Sequence, residues 1–551
     1  MAIIEQPKQE IANLLDEMIE PGFSKTLALG GAYEAADKFD RTMALWSPPI
    51  QSADRDIIPN RPSMDARVRD TLRNDGYVQA GQALHRDNIV GSMFMLNAKP
   101  DYKVLGLDEA WAESFQEEVE AKFTLAAEST NGWLDASRTN TLTGLVRLAI
   151  GIYAATGEVL ATAEWLKEKP RPFKTAVQMI DLDRLGTPHE FQMDGYVRGG
   201  VRLDSRGAPL GYYIRKAHPT DWDRGNEAFE FKYVPTRKPW GRLQVIHIKE
   251  QFRPEQTRGV ADMVAGLKEL RITKRFRDIT LQNAVVNAMF AASIESELPT
   301  EAVFTQLGSN NLGAGITDYA SAFLGAVAAY SGGSRNMQID GVKIPHLFPG
   351  TKLSLHPAGS PGGVGQDFET SLLRYIAAIL GVSYEQLSKD FSKTNYSSAR
   401  AAMTETWKFM QSRKRMVADR FASIMYQLWL EEQMNAGTLE CMKFSNAPNF
   451  YEGLNSEAYC AATWIGAARG QIDELKETQA SVLKLKYGLS THEYELAKLG
   501  KDWREVYAQL SREKTKRKEY GIELVEDNAI NAASGEPGAG ADEVGDGGGN
   551  T

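Results

Sequence analysis

Between Phe368 and Gly437 two apolar-periodic stretches alternate with two short breaks, and this pattern restricts what the chain can fold into. Leu372, Tyr375, Ile376 and Ile379 recur at helical spacing. Gly381 ends that helix, as a residue tolerant of positive φ does. Ser383 is placed to cap the next turn, with Glu385 and Gln386 behind it in a capping-box pattern. A second break spans Asp390–Asn395, and Ser397 or Ser398 leads into a helix from about Ala399. Met403, Trp407, Met410, Val417, Phe421, Ile424 and Leu428 lie on one stripe of that helix, which stops at Asn435-Ala436-Gly437. Helices joined by a capped elbow are predicted, and nothing in the stretch forms a catalytic constellation.

At 551 residues the chain exceeds the roughly 250–300 at which a single core stops growing, so several cores are expected. A hydrophobic content of 42% with 25% charged residues is that of a globular protein. No segment approaches the ~18 consecutive apolar residues of a membrane span. The N-terminus carries acid early and has no apolar core of the kind a secretion signal needs. Two cysteines, Cys441 and Cys460, read as small apolar fillers in a reduced compartment. The net charge of −9 argues against a protein that grips DNA by neutralising phosphates, though not against one that lets DNA slide past.

Composition divides the chain further. Residues 1–45 hold one amphipathic pattern (Ile11, Leu14, Leu15, Met18) ended by Pro21-Gly22, and read as an arm. Within 46–255, helical spacing covers Arg61–His85, Asp108–Ser129 and Thr141–Thr156, then β-patterned runs follow from Glu158 to Glu250. Together these predict an α/β domain. Residues 256–297 read as one long helix or two abutting ones, and 298–366 are broken repeatedly by Pro and Gly. Residues 367–435 form the helical stretch described above, and 436–525 are again helical. From 526 the chain is acidic and Gly-rich, and cannot bury enough apolar surface to order itself. The fold class is α+β, mainly helical.

Tests for chemistry return little. No Gly-x-x-x-x-Gly-Lys-Ser/Thr loop occurs, so an ATP-driven motor lacks its phosphate cradle. The seven histidines are scattered, and no His-x-x-x-His or Cys-x-x-Cys spacing supports a metal site. Asp181 and Asp183 would point to one face of a strand near a turn; they read as a solvated edge or, in a nuclease, as a Mg²⁺ pair. Lys268, Arg271, Lys274 and Arg275 crowd one helix face, turned toward DNA phosphates or acidic neighbours, or simply solvated and balanced by Glu269 and Asp278. Arg413-Lys414-Arg415 spreads around its helix and reads as solvated. No cofactor or metal is predicted.

As a string, LRYIAAILGVSYEQLS followed by Tyr396 to Arg400 resembles the lambda-type portal proteins of tailed bacteriophages. Val68–Leu96 agrees with that family through its Arg-Asn-x-Gly-Tyr and His-x-Asp-x-Ile-Val-Gly-Ser pieces, as do Gln256–Gly259, Lys274–Glu297, Trp464-Ile465-Gly466 and Gly488–Thr491. The resemblance spans about residues 45 to 515. It implies a portal fold: an α/β wing over 46–255, a stem helix over 256–297, a clip within 298–350, a helical return over 367–435 and a crown over 436–525, closed into a ring of about twelve subunits. It implies a tunnel loop at Gly359, Ser360, Pro361, Gly362 and Gly363, and protease trimming of the arm. The implied location is one vertex of the capsid, after assembly in the host cytoplasm. Implied partners are further copies, the terminase large subunit, the major capsid and scaffold or protease proteins, head-completion proteins, and double-stranded DNA threading the centre; no membrane is involved. The rival readings are a terminase-like, metal-dependent nuclease using Asp181 and Asp183, and a monomeric head-assembly adaptor.

Overall fold

The computed structural model describes residues 45–290 and 364–522, apart from 393, 444–445 and 471–473, together with 321, 324–325, 336–339 and 342–345. The arm over 1–44, the loop at Gly359, Ser360, Pro361, Gly362 and Gly363, and the tail from 526 lie outside the described residues.

The chain enters its body through α1 (Arg61–Asn74) and α2 (Gly76–Ile89). The periodicity predicts one helix here. Two form because the Asp75 carboxylate accepts from the N–H groups of Tyr77 and Val78, at 3.0 and 3.2 Å, and starts a second helix. A short strand, β1 (Met95–Ala98), leads to α3 (Glu109–Ala127) and α4 (Leu142–Thr156), capped by Asp108 and Thr141. Strands β2 (Glu158–Trp165) and β3 (Thr175–Met179) follow. The β-patterned run through Asp183 ends sooner than its composition predicts, because Asp181 caps a 3₁₀ turn over Leu182–Arg184. Next comes a meander of β4 (Val197–Arg198), β5 (Val201–Leu203), β6 (Pro209–Arg215) and β7 (Phe231–Pro235), hydrogen-bonded in that order. The last strand of this region, β8 (Val245–Lys249), returns to β2, giving an antiparallel sheet ordered β3-β2-β8. A small core holding Leu160, Leu182, Val201, Tyr212, Ile214 and Val245 joins the two sheets.

Residues 256–261 are not helical; a 3₁₀ turn, Asp262–Gly266, precedes one long helix, α5 (Leu267–Phe290). A strand pair, β9 (Asn336–Ile339) with β10 (Val342–Pro345), lies between α5 and α6 (Val364–Ile379) in the chain. α5 and α6 pack together through Phe276 and Phe368, ring centroids 5.2 Å apart, and through Arg277 and Glu369, 2.7 Å apart.

The elbow forms as its sequence predicts. Gly381 takes φ +65°, and Ser383 and Gln386 close a reciprocal capping box ahead of α7 (Tyr384–Ser388). The cap of α8 (Tyr396–Arg413) is Asn395, which accepts from Ser398 N–H at 2.8 Å; Ser397 and Ser398 lie within the first turn. A π-helical turn, Lys414–Asp419, joins α8 to α9 (Arg420–Ala436), and Gly437 ends the run in the left-handed region. That turn carries Arg413 and Lys414 inward, contrary to the solvated reading. Arg413 pairs with Asp262 at 2.7 Å, and Lys414 donates to Asp419 and to the Trp464 carbonyl at 2.6 and 2.8 Å.

The main core runs from Val68 to Trp464. Its centre is aromatic: Phe123 meets Tyr426 and Trp429 edge-on at 5.3 and 5.2 Å, and Phe94 stacks on Trp464 at 5.4 Å. Trp464 belongs to β11 (Ala462–Ile465), which pairs antiparallel with β1 inside a stretch predicted to be helical throughout. Only then do α10 (Glu474–Lys486), α11 (His492–Lys498) and α12 (Trp503–Tyr520) follow. Among the described residues no helix is long and apolar enough to cross a membrane.

Candidate functional site

The element that fixes how α5 leaves the body is a carboxylate. Glu158 opens β2, directly after the glycine that ends α4, and is fully buried. Four groups from three separate parts of the chain meet it. Arg61 of α1 pairs with Oε1, and Arg258 reaches the same atom through Nε and Nη2 at 2.8 and 2.7 Å. His247 of β8 lies 3.1 Å from Oε2, and the Gly259 N–H donates to Oε2 at 2.6 Å. Arg258 also donates to the carbonyls of Gly199 and Leu185, at 2.8 and 3.2 Å, tying the meander to the hub.

Each residue of Gln256–Gly259 has a task here. The Gln256 side chain accepts from Phe252 N–H at 2.9 Å and donates to the Arg258 carbonyl at 2.8 Å. Thr257 gives its N–H and hydroxyl to Asp54, at 2.7 and 2.6 Å, and Lys249 donates to the Gln256 and Thr257 carbonyls. Gly259 lies against Gly157, whose φ is +75°. A Cβ on Gly157 would stand 2.1 Å from the Val260 carbonyl oxygen, and one on Gly259 would stand 2.2 Å from the Gly157 carbonyl oxygen. Only glycine lets the two backbones approach this closely.

The electrostatics follow from burial and pairing. Burial opposes the Glu158 charge, but Arg258, Arg61 and His247 outweigh it and hold the carboxyl well below its ordinary range. Burial also lowers His247, more than Glu158 raises it. Lys249 is lowered to about 8, again by burial first. The cluster acts as a clamp, its charges met by one another and by backbone groups.

The basic helix face lies beyond this clamp. Lys268, Arg271 and Arg275 are exposed on α5, whereas Lys274 is half-buried and donates to the Asn74 carbonyl at 3.3 Å. With Asp70, Asn74 and Leu270 they line a groove of about 700 Å³ between α1 and α5. Among the described residues neither Glu269 nor Asp278 forms an ion pair with them, and the acids that share their groove are Asp70 and Asp75 of the α1 side. Asp181 and Asp183 do come together, with His218, their ligand atoms within 4.8 Å of one another. Arg69 already occupies them: it pairs with Asp183, its Nη2 lying 3.1 Å from Oδ1, and it lies 3.5 Å from Asp181. Burial disfavours the Asp183 charge, but Arg69 and then His218 prevail and keep its pKa low. The group is an ion-paired turn between α1 and the 3₁₀ segment.

Residues 39–414 match the model of the lambda family of phage portal proteins. The chain belongs to that family. It is 36% identical to the portal protein of Escherichia phage N15 over 480 residues, 87% of this chain and 88% of that one. It is 35% identical to portal protein B of Escherichia phage lambda over 502 residues, 91% and 92% of the two chains. Among solved structures, a chain from the neck of a native gene transfer agent particle computed with C12 symmetry aligns with a TM-score of 0.35 and 11% identity. That alignment covers 80% of this chain and 93% of the other.

The segments resembling other portal proteins meet in space. Gln256–Gly259 builds the Glu158 clamp. His85, which opens the His-x-Asp-x-Ile-Val-Gly-Ser piece, donates through Nε2 to the Leu380 carbonyl at 2.7 Å, just past the LRYIAA helix. Gly466 packs on the Ile89 carbonyl, where a Cβ would stand 2.5 Å away. Glu158 carried no signal beforehand, because one acid at the start of a strand looks like any turn residue. The repeated backbone approach at Gly157 and Gly259 was the available clue.

Glu158→Ala leaves Arg61 and Arg258 buried without their counter-charge, and should lower unfolding free energy by about 3–5 kcal/mol in urea titrations. A pH series gives a second check. Burial holds His85 at about 4 and also lowers His247, so both are neutral when folded and take up protons on unfolding. Their contribution is complete above the ordinary 6.5 and is lost as pH falls toward the folded values. His85→Gln, which keeps a donor for Leu380, should flatten the fall in melting temperature over that window; an unchanged slope would count against the assignment.

Proposed function

We propose that this chain is the subunit of a portal ring at one vertex of a phage head, through which double-stranded DNA passes during packaging and ejection. The observation that carries the ring is at the C-terminal end. α10 and α12, of 13 and 18 residues, bury no side chain within the chain. They nonetheless present Leu475, Val482, Leu483, Tyr507 and Leu510 to solvent. Helices are held mainly by packing of an apolar face, and in this proposal neighbouring copies supply it. Family membership supports the same reading.

In this proposal the wing is 46–255, α5 within 256–297 is the stem, the clip falls within 298–350, and 436–525 form the crown. Gly359, Ser360, Pro361, Gly362 and Gly363 belong to a tunnel loop around the duplex. The ring docks the terminase large subunit while DNA enters, and head-completion proteins afterwards; its outer rim meets the capsid. A ring of about twelve copies carries roughly −100 in net charge, which favours weak holding of a moving duplex. The mechanism is geometric and includes no bond-breaking step.

Purified protein imaged by negative stain should show annular particles with a central hole. A single species at 61.0 kDa in native mass spectrometry under every condition would sink the ring. Deleting Gly359–Gly365 should leave the annulus intact and impair DNA packaging or retention; normal packaging by that variant removes the tunnel-loop assignment alone.

A further inference from the structure

Two charged stripes of the body form no ion pair among the described residues. On α5, Lys268, Arg271 and Arg275 fall on one face and span about 10 Å along the axis. On α3, Glu109, Glu113 and Glu117 fall on one face and span about 12 Å. All six are exposed, and none forms an ion pair among the described residues. The remaining acids of α3 are matched internally: Glu118 with Lys122 at 2.6 Å, and Glu120 with Arg504 at 2.9 Å. The chain pairs the acids that face its own body and leaves the outward row bare. Like charges one turn apart on a helix repel, so each bare row is disfavoured until something of opposite sign covers it.

The surroundings of the cations point to a protein partner. Ile272 is exposed within the cationic stripe and Ile279 one turn beyond it, while Leu125 is exposed further along the α3 stripe. A phosphodiester backbone offers such aliphatic groups nothing to pack on, whereas a helix with its own exposed leucine does. The α1–α5 groove beneath the cations is about 700 Å³, with Leu270 buried at its floor and Val264 and Leu267 half-buried in its walls. A closed ring is built from heterologous contacts, in which one patch of each copy meets a different patch of the next.

We infer that Lys268, Arg271 and Arg275 of one copy receive Glu109, Glu113 and Glu117 of the adjacent copy. This rests on the ring reading above and gives it a specific contact. The six charges fix which patch meets which, and so the hand and angle of closure.

Charge reversal tests it. K268E/R271E/R275E and E109K/E113K/E117K should each lose annular particles in negative stain while keeping the wild-type circular dichroism spectrum. The chain carrying all six changes should regain them. As a second measurement, independent of the reversal variants, Arg271→Cys chains mixed with Glu113→Cys chains should form an oxidised dimer linked between copies. If either reversal leaves ring yield unchanged, the contact is wrong. Absence of the cross-link, or failure of the six-site chain to recover, also overturns it. An α5 reversal that keeps rings but abolishes DNA packaging would assign the cations to DNA instead. Should wild-type protein form no rings, the ring reading falls, and this contact with it; rings in the wild type with no response in the variants sink only the contact.

Discussion

A single buried carboxylate sets the geometry on which the remainder of the molecule depends. Glu158 cannot stay ionised out of water without compensation, and Arg61, Arg258, His247 and the Gly259 N–H supply it from three parts of the chain. Relative to well-packed apolar groups, buried pairs of this kind add little net stability, since desolvation offsets their attraction. Their directional hydrogen bonds do fix position. Because Arg258 and Gly259 lie eight or so residues before α5, anchoring them orients the helix that leaves the body. The glycine contact at Gly157 reinforces this, since a Cβ on either chain would force the backbones apart.

The clamp and the aromatic core divide labour. Phe123, Tyr426, Trp429 and Trp464 hold α3, α9 and β11 together by apolar burial, which is strong and weakly directional. The ionic clamp is directional and sits where the sheets, α1 and the approach to α5 converge. Where the π turn begins, Arg413 pairs with Asp262 just ahead of α5, and Lys414 donates to the Trp464 carbonyl beside the aromatic core. A frame with one defined exit for α5 would suit the ring proposed above, in which each copy repeats the same angle around an axis.

Much of this frame was legible in the sequence where the signal was local. Gly381, Ser383 and Gln386 announced the elbow, and Gly437 announced the end of α9, because caps and left-handed residues act over three or four positions. The split at Asp75 was missed because apolar periodicity continues through it and only a cap marks it. β11 was missed because its reason to be a strand is the open edge of β1, some 360 residues away in the chain. Arg413 and Lys414 looked solvated because a π turn, which has no composition signal, rotates them inward. For the candidate site, exposure of Lys268, Arg271 and Arg275 could be anticipated from their crowding on one face. The half-burial of Lys274 and the lack of a local acid partner could not, since both depend on where α1 lies.

The uneven distribution of satisfied groups says where the isolated chain is incomplete. Around Glu158 nearly every polar atom is matched, and the main core is continuous from α1 to β11. α10 and α12, by contrast, have no fully buried side chain among the described residues, and helices of 13 and 18 residues are marginal in water without packing. Any contact that covers them binds the folded state and not the unfolded one, so it stabilises by mass action. In the ring proposed above, order in this C-terminal region would be coupled to assembly more strongly than order in the clamped body. In that proposed ring the division has a mechanical use: the clamped frame would hold the angle between neighbours, and the uncovered helices would be the surfaces that assembly completes.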